Sequence, residues 1–482
     1  MNKAFKIIYA AVFFSVCALP LAMKPFSGSN AEVEKKKLAD RPSVVEDGKI
    51  NNDFSTQFEA WFNDRLPLRS ELLSAAGFVK GEILSSPSSN VISGSDGWLF
   101  FNDEKKDYMD TNAMTASQTR AAAVTLSLIE ERVRSTGGRF TFVPMPNKAS
   151  VYGEYMPKCY TRAEENNYTR LCRELDDLGV NYVDMLEIMT DQKDLGLYHK
   201  RDTHWNYLGA LIGYNEIMNS LGAVHENYDG VTFSYLKTWE SDLDKLLYPT
   251  GGFTDYQYYF DIAYNQFMFT YPSAAADPAE QLAVFMSDKE ENDMNITSRS
   301  STQMPNERLY MVRDSFGRAL LPFMIDNYKT ATFVRTNCPD IGKAQGADMV
   351  YEIVERNLKN VISTAPFMFA PERTEAEASA SSECELCESV CKNEGYAIKI
   401  CGTFPEDACT GDGRVYVKLE GQGVSRVFEA FPICESELFG DDCTKGFSMY
   451  IDPSLGLDGE FEMTVFNGDT AYKAGKINTS KQ

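Results

Sequence analysis

An α/β domain with a mostly parallel sheet flanked by helices, followed by a small disulfide-rich β-domain, is the fold class that this 482-residue sequence predicts. Three observations predict it. Strand-like and helix-like segments alternate from Asp96 to Leu358, which is the pattern of a parallel sheet covered on both faces. Seven of the eleven Cys crowd between Cys384 and Cys443. Between these regions Thr374 to Glu383 is a small-residue, acidic stretch that reads as a linker.

At the amino end, Lys3 and Lys6 precede an apolar run from Ile7 to Met23, closed by Lys24 and Pro25. This is a signal anchor or a signal peptide over 1–26. The anchor is preferred, because Leu19 to Met23 matches a small-x-small cleavage site poorly. Either form exports the rest of the chain and places it outside the cytoplasm, on the periplasmic or cell-surface side. Residues 27–50, with Glu34-Lys35-Lys36-Lys37, read as a juxtamembrane stalk.

The main domain is expected over 51–372. Phe54, Phe58, Trp61 and Phe62 recur at helical spacing, and Asn63 to Pro67 ends that helix. Asp96-Gly97 turns into a strand at Trp98 to Phe101. Ser117 to Ser135 is a helix broken by Gly137-Gly138, and Arg139 to Pro144 is a buried strand. Asn166 to Leu178 is a helix leading into a strand at Val180 to Val183. A helix from Tyr207 to Leu221 follows. Tyr228 to Gln303, rich in Tyr, Phe, Asp and Ser, fits the alternation badly and is expected to be an irregular insertion or lid. Leu309 to Val312 is a strand, Arg318 to Tyr328 a helix, Thr332 to Arg335 a strand, and Asp348 to Tyr351 a strand continuing into a helix through Leu358. The linker is placed at 373–383. Over 384–482, alternating runs such as Arg414 to Leu419 and Phe461 to Phe466 sit between turns and describe a β-domain.

The 47 Lys+Arg against 70 Asp+Glu leave a net charge of -23. A surface that acidic repels phosphate backbones, so nucleic acid is excluded as a partner. In an exported chain the clustered Cys read as disulfides. A zinc site at Cys384, Cys387, Cys391 and Cys401 is disfavoured, since all three His lie far upstream. Cys159 and Cys172 are placed to close a loop, with Cys338 left to pair elsewhere. No metal ligand and no cofactor is assigned.

Two segments carry chemistry. In Arg201-Asp202-Thr203-His204-Trp205-Asn206, just before a helix, the acid two residues ahead of the His can reach Nδ1 and leave the other nitrogen free to act as base. In Leu309 to Gly317, Ser315 sits on the turn between a buried strand and a helix whose amides can stabilise an oxyanion. Alone, the first is a helix cap and the second a turn. Together in an α/β chain with three His they point to one catalytic set. His199 and His225 lack a neighbouring acid and read as surface or packing residues.

Asp202-Thr203-His204-Trp205-Asn206, Arg313-Asp314-Ser315-Phe316-Gly317, Pro146 to Tyr152 and Asp96 to Phe100 occur in an order that resembles the SGNH hydrolase-like domain of the alginate O-acetyltransferase family, the AlgJ/AlgX and DHHW-type proteins. The likeness runs from about Asn52 to Leu358. It implies Ser315 as acetyl acceptor, His204 as base and Asp202 as orienting acid. It also implies a carbohydrate polymer as substrate and a membrane protein as acetyl donor. Arg313 departs from the Gly found in many relatives. Asn147 is a candidate oxyanion donor and Arg335 a candidate substrate contact. The C-terminal domain is similar in architecture alone to a carbohydrate-binding module. The expected activity is polysaccharide O-acetyl transfer through an acetyl-serine. The alternatives are a carbohydrate acetyl esterase with the same triad and a non-catalytic glycan-binding assembly protein.

Overall fold

The computed structural model describes residues 90–248, 251–262, 267–270, 295–300, 302–405, 408, 411, 413–440 and 443–481. It also describes 39–46, 49–51, 53–68, 71–72, 74 and scattered positions before residue 23. Most of the anchor expected over 1–26 and much of the stalk fall outside them. No helix among the described residues is long and apolar enough to cross a membrane.

The first expected helix is present as α1, Phe54–Asp64. A short hairpin follows, β1 Val91–Ser93 with β2 Leu99–Phe101. Then α2, Ala116–Ser135, starts on a capping box between Thr115 and Gln118 and buries an Ala- and Leu-rich face. It feeds β3, Phe140–Met145, which is buried throughout. Next come α3, Asn167–Leu178, and α4, Tyr207–Leu221. Gly213 lies so close to Trp205 that a Cβ there would sit 2.5 Å from the indole, so the glycine lets α4 seat on that ring.

The described part of the insertion is more ordered than the sequence suggests. It forms β4, Phe233–Glu240, paired antiparallel with β5, Thr254–Phe260, around the short helix α5, Asp242–Leu247. Further on, β6 Phe267–Thr270 and β7 Asn295–Ser300 join the main sheet. After them come β8 Asn306–Val312, the short helix α6 Leu321–Ile325, β9 Tyr328–Val334 and β10 Asp348–Val354.

The main sheet has the order β3-β10-β8-β9-β7-β6. Its first four strands are mutually parallel, while β7 and β6 add antiparallel to the edge. The sheet is therefore mixed, and the insertion supplies its antiparallel third. The chain steps from β8 out to β9 and returns across it to β10, so the order reverses at β8. In open α/β sheets that crevice, outside the carboxyl ends of the strands, is where sites form.

Three other expectations change. Val180 to Val183 makes a single bridge, Phe142 with Tyr182, and no strand. There the Asn181 amide Nδ2 bonds the Phe140 carbonyl and Ser220. The helix expected over Arg318 to Tyr328 is a 3-10 turn, Phe316–Leu320, followed by α6. Pro322 near the start of α6 has no N–H to donate to the preceding turn. Tyr328 already belongs to β9. The segment after β10 is also 3-10, over Glu355–Ile362.

Beyond the main domain, Val415–Gly421, Val424–Ala430, Glu460–Asn467 and Thr470–Asn478 form the centre of a second six-stranded sheet around its own apolar core. The expected linker is held at several points. Arg373 pairs with Glu131 on α2 and with buried Glu429 of this sheet. Glu375 accepts from Ser425, and Ser382–Glu385 adds a strand at the edge. The disulfide-rich expectation holds only in part. Among the described residues one bridge, Cys434–Cys443, is formed, while Cys384, Cys387, Cys391 and Cys401 keep free thiols. Cys159, Cys172 and Cys338 are also unbridged.

Candidate active site

Two loops meet at the carboxyl edge of the sheet. One follows β8 and carries Arg313, Asp314 and Ser315. Its shape comes from Asp314, whose carboxylate accepts the Phe316 amide at 2.8 Å on one oxygen and the Val354 amide at 2.8 Å on the other. The Asp314 amide in turn donates to Glu352 on β10, at 3.0 Å. Burial, with the nearby Asp314 charge, pushes the Glu352 carboxyl well above its ordinary range. Gly317 completes the turn. A Cβ there would lie 2.7 Å from both Arg313 Cβ and Glu352 Oε2. The Phe316 amide is engaged by Asp314, so this amide of the expected oxyanion set is not free.

The other loop precedes α4. Asn206 caps that helix, its side chain accepting from the Leu208 and Gly209 amides. Trp205 is buried and donates from Nε1 to the Phe316 carbonyl at 3.1 Å, which ties the loops together. His204 then reaches Ser315, with Nε2 2.9 Å from Oγ. On its other side Nδ1 lies 2.8 Å from Asp202 Oδ1. The structure thus brings Ser315, His204 and Asp202 into one unbroken relay.

Asp202 is 2% exposed, yet every lone-pair direction it has is used. Oδ1 accepts the His204 amide as well as Nδ1, at 3.0 and 2.8 Å. Oδ2 accepts Trp239 Nε1 at 3.0 Å and the Asp242 amide at 2.8 Å. Burial alone would raise this carboxyl. The His204 hydrogen bond and the imidazole charges outweigh it and hold Asp202 far below its usual range. For His204 burial opposes the charged ring, but the Asp202 hydrogen bond and the charges of Asp202 and Asp242 prevail, so it titrates above its ordinary value.

Sequence reasoning missed the residues that support this relay. Lys148 is fully buried, and its ammonium donates to the carbonyls of His199, Lys200 and Asp202 at 3.1, 3.1 and 2.5 Å. The same Nζ lies over the Trp98 and Phe100 rings, 5.8 and 5.4 Å from their centroids. Trp239 stacks on His199 with centroids 4.8 Å apart. His199 is buried as a packing residue, and burial takes its pKa down to about 4. Arg201 nearby forms a partly buried pair with buried Asp244 of α5, at 2.7 Å. The positions of Trp239, Asp242 and Asp244 in the insertion gave no signal of these contacts, since nothing local links them to the loop they hold.

A pocket opens over Ser315 and His204, walled by Tyr207, Trp239, Glu240, Asp242, Gln257 and Arg318. Neither Asn147 nor Arg335 is in its wall. Asn147 is buried, and its side chain donates to Asp107 and accepts from Arg356, so it shapes the loop after β3. Arg335 follows the end of β9 and is half-buried away from this pocket. Asp202, His204 and Asp242 offer atoms within 4.8 Å of one another, a spacing a metal ion accepts. Their oxygens and Nδ1 already face hydrogen-bond partners, which makes the cluster a relay.

Fold and site together define a class, an α/β protein with a mixed sheet and a Ser–His–Asp relay at its carboxyl edge. Residues 91–245 match the family described as "SGNH hydrolase-like domain, acetyltransferase AlgX". That span holds Asp202 and His204 and ends before Ser315, and over it the resemblance read from the motifs holds. The chain is also similar to the "Probable alginate O-acetylase AlgJ" of Pseudomonas aeruginosa, 23% identical over 163 residues, 33% of this chain and 40% of that protein. The match thus spans well under half of that relative. Among solved structures it is similar to a DHHW family protein from Eubacterium siraeum (14% identity, 57% of this chain and 95% of that one, TM-score 0.43). It is also similar to Bacillus cereus PatB1 with a sulfonyl adduct (15% identity, 56% and 96%, TM-score 0.45).

Proposed function

We propose that this chain is an exported O-acetyltransferase acting on a hydroxyl of a carbohydrate polymer through an acetyl-serine at Ser315. The observation that carries this reading is the relay itself, with 2.9 Å from Ser315 Oγ to His204 Nε2 and 2.8 Å from Nδ1 to Asp202. His204 takes the Ser315 proton as Oγ attacks the acetyl carbonyl of the donor. The imidazolium then returns that proton to the leaving group, and acetyl-serine remains. In the second half His204 deprotonates a sugar hydroxyl, the sugar oxygen takes the acetyl group, and the proton passes back to Ser315. Asp202 keeps the Nδ1–H tautomer throughout, so Nε2 is always the nitrogen facing Ser315. Tyr207 and Trp239 give the pocket aromatic walls suited to a sugar face. The acetyl donor is a membrane protein, and the enzyme works outside the cytoplasm, anchored by its N-terminal segment. A glycan-binding protein without turnover has no use for a base within hydrogen-bond reach of a serine.

The test is acetate release from a chromogenic acetyl ester by the full chain and by Ser315→Ala. Turnover should vanish in the variant, and acetyl should move to an added oligosaccharide with the parent. Unchanged turnover in Ser315→Ala overturns the assignment, and release into water alone, whatever glycan is added, makes the enzyme an esterase.

A further inference from the structure

The insertion reaches His204 by a second route. The Asp242 carboxylate accepts the Thr203 amide at 2.8 Å on Oδ1 and the Thr203 hydroxyl on Oδ2. With its hydrogen turned to Asp242, that hydroxyl presents a lone pair to His204 Nδ1, 3.1 Å away. Asp242 Oδ2 itself lies 3.6 Å from Nδ1. The Nδ1–H therefore faces two acceptors, Asp202 Oδ1 and Thr203 Oγ1, and two carboxylates stand beside one imidazole.

We propose that Asp242 is a positioning residue for His204, forming with Thr203 a second arm that holds the ring and shares the charge of its imidazolium. The inference rests on the acyl-transfer reading of the same site. When His204 takes the Ser315 proton, the positive charge is divided between an acid bound directly and one bound through a hydroxyl. Asp202 cannot move to follow the ring, because Trp239 Nε1 and the Asp242 amide fix its Oδ2. The Asp242 backbone thus serves one arm while its side chain makes the other. The charged groups facing Asp242 are Asp202 and His204 from the loop, with Lys148 and Glu104 beneath them and Glu240 beside it in the pocket wall. Burial and the Asp202 charge bring Asp242 up to about 6, so its negative charge is present at neutral pH and fades as pH falls. A plain alternative is that Asp242 only opens the short helix α5, with no effect on the imidazole.

The experiment is an NMR titration of the imidazoles, tractable because the chain has three His. In Asp242→Asn the amide oxygen still accepts the Thr203 amide and the backbone donor to Asp202 is kept, so the loop keeps its shape. The His204 pKa should fall by about one pH unit, as expected for losing a unit charge at this range in a solvated pocket. Ester turnover at the pH plateau should fall about tenfold with it. Thr203→Val, which deletes the hydroxyl alone, should move both in the same direction by less, and it decides the case should Asp242→Asn fold poorly. A His204 pKa that stays at the parent value in the folded variants overturns the proposal whatever the turnover. A pKa that moves in a protein whose Ser315→Ala form turns over normally leaves this arm standing and sinks the acyl-transfer reading instead.

Discussion

Replacing Asp202 by Asn changes one atom, and the surrounding donors fix what that atom must do. Each carboxylate oxygen accepts two N–H groups, the His204 amide and Nδ1 on one side, Trp239 Nε1 and the Asp242 amide on the other. With its NH2 toward Trp239, the amide would face two donors with a third, losing two buried hydrogen bonds. With its NH2 toward His204 it loses one, and the ring must then accept at Nδ1 and carry its proton on Nε2. A buried donor left without an acceptor costs about 1–3 kcal/mol. The second orientation is favoured by about 1–3 kcal/mol, a factor of roughly 5–150 in population. That is the orientation in which Nε2 cannot take the Ser315 proton. The few correctly disposed molecules also lack the charge that steadies the imidazolium. The same substitution in a serine-protease triad lowers turnover about 10⁴-fold, and a loss of about 10³–10⁴ is expected here. The assay is a pH–rate profile with an acetyl ester. In the parent, activity should fall as pH drops through the raised pKa of His204, because only the neutral ring accepts a proton. In Asp202→Asn that limb should move to lower pH, since the hydrogen bond and charge that raise the pKa are gone. A variant within tenfold of the parent at its plateau, with an unmoved acid limb, would refute the reasoning.

Lys148→Met removes three hydrogen bonds from the loop carrying Asp202 and should destabilise the main domain by about 3–5 kcal/mol, read by urea unfolding. Stability within 1 kcal/mol of the parent would mean that the ammonium is not needed there. Gly317→Ala places a methyl 2.7 Å from Glu352 Oε2 and from Arg313 Cβ, so the Ser315 turn must shift. Turnover should fall about 10²-fold, the scale of a misplacement of about 1 Å at a reacting atom. Parent-like rates would show that the turn absorbs the methyl.

The relay was legible because its parts are local. Asp202 and His204 share one turn, and Ser315 follows an apolar strand at a position where the chain must bend. The parallel strands were legible through short, largely apolar runs such as Phe140 to Met145, and most helices through apolar residues at helical spacing. What supports the relay was not. Lys148 lies in a segment read only for its resemblance, and a lysine in sequence is ordinarily a solvated charge. Its burial is a tertiary event that needs three carbonyls from residues 199–202. Trp239 and Asp242 lie beyond a register shift in β4 between Lys237 and Trp239, so the period-2 run of Phe233 and Tyr235 does not tell which way Trp239 faces. Asn147 is singled out as a match to an oxyanion Asn and Arg335 for its place at the end of a strand, and neither position reports the contacts that the fold makes there. The amide of Asn147 meets Asp107 and Arg356 before it can meet a substrate.

The chain has four tryptophans, Trp61, Trp98, Trp205 and Trp239, and three of them surround the relay. Trp205 is bonded to the Phe316 carbonyl, Trp239 to Asp202, and Trp98 lies beneath Lys148. Indole emission responds to local polarity, to hydrogen bonding at Nε1 and to neighbouring charges. Three of the four indoles therefore sit where a change at the site alters their surroundings. Trp239, partly open to the pocket and stacked face to face on His199, is the ring placed to feel a ligand arrive over Ser315. The chain carries its own optical reporter of occupancy, and ligand encounter can be timed on the unlabelled protein.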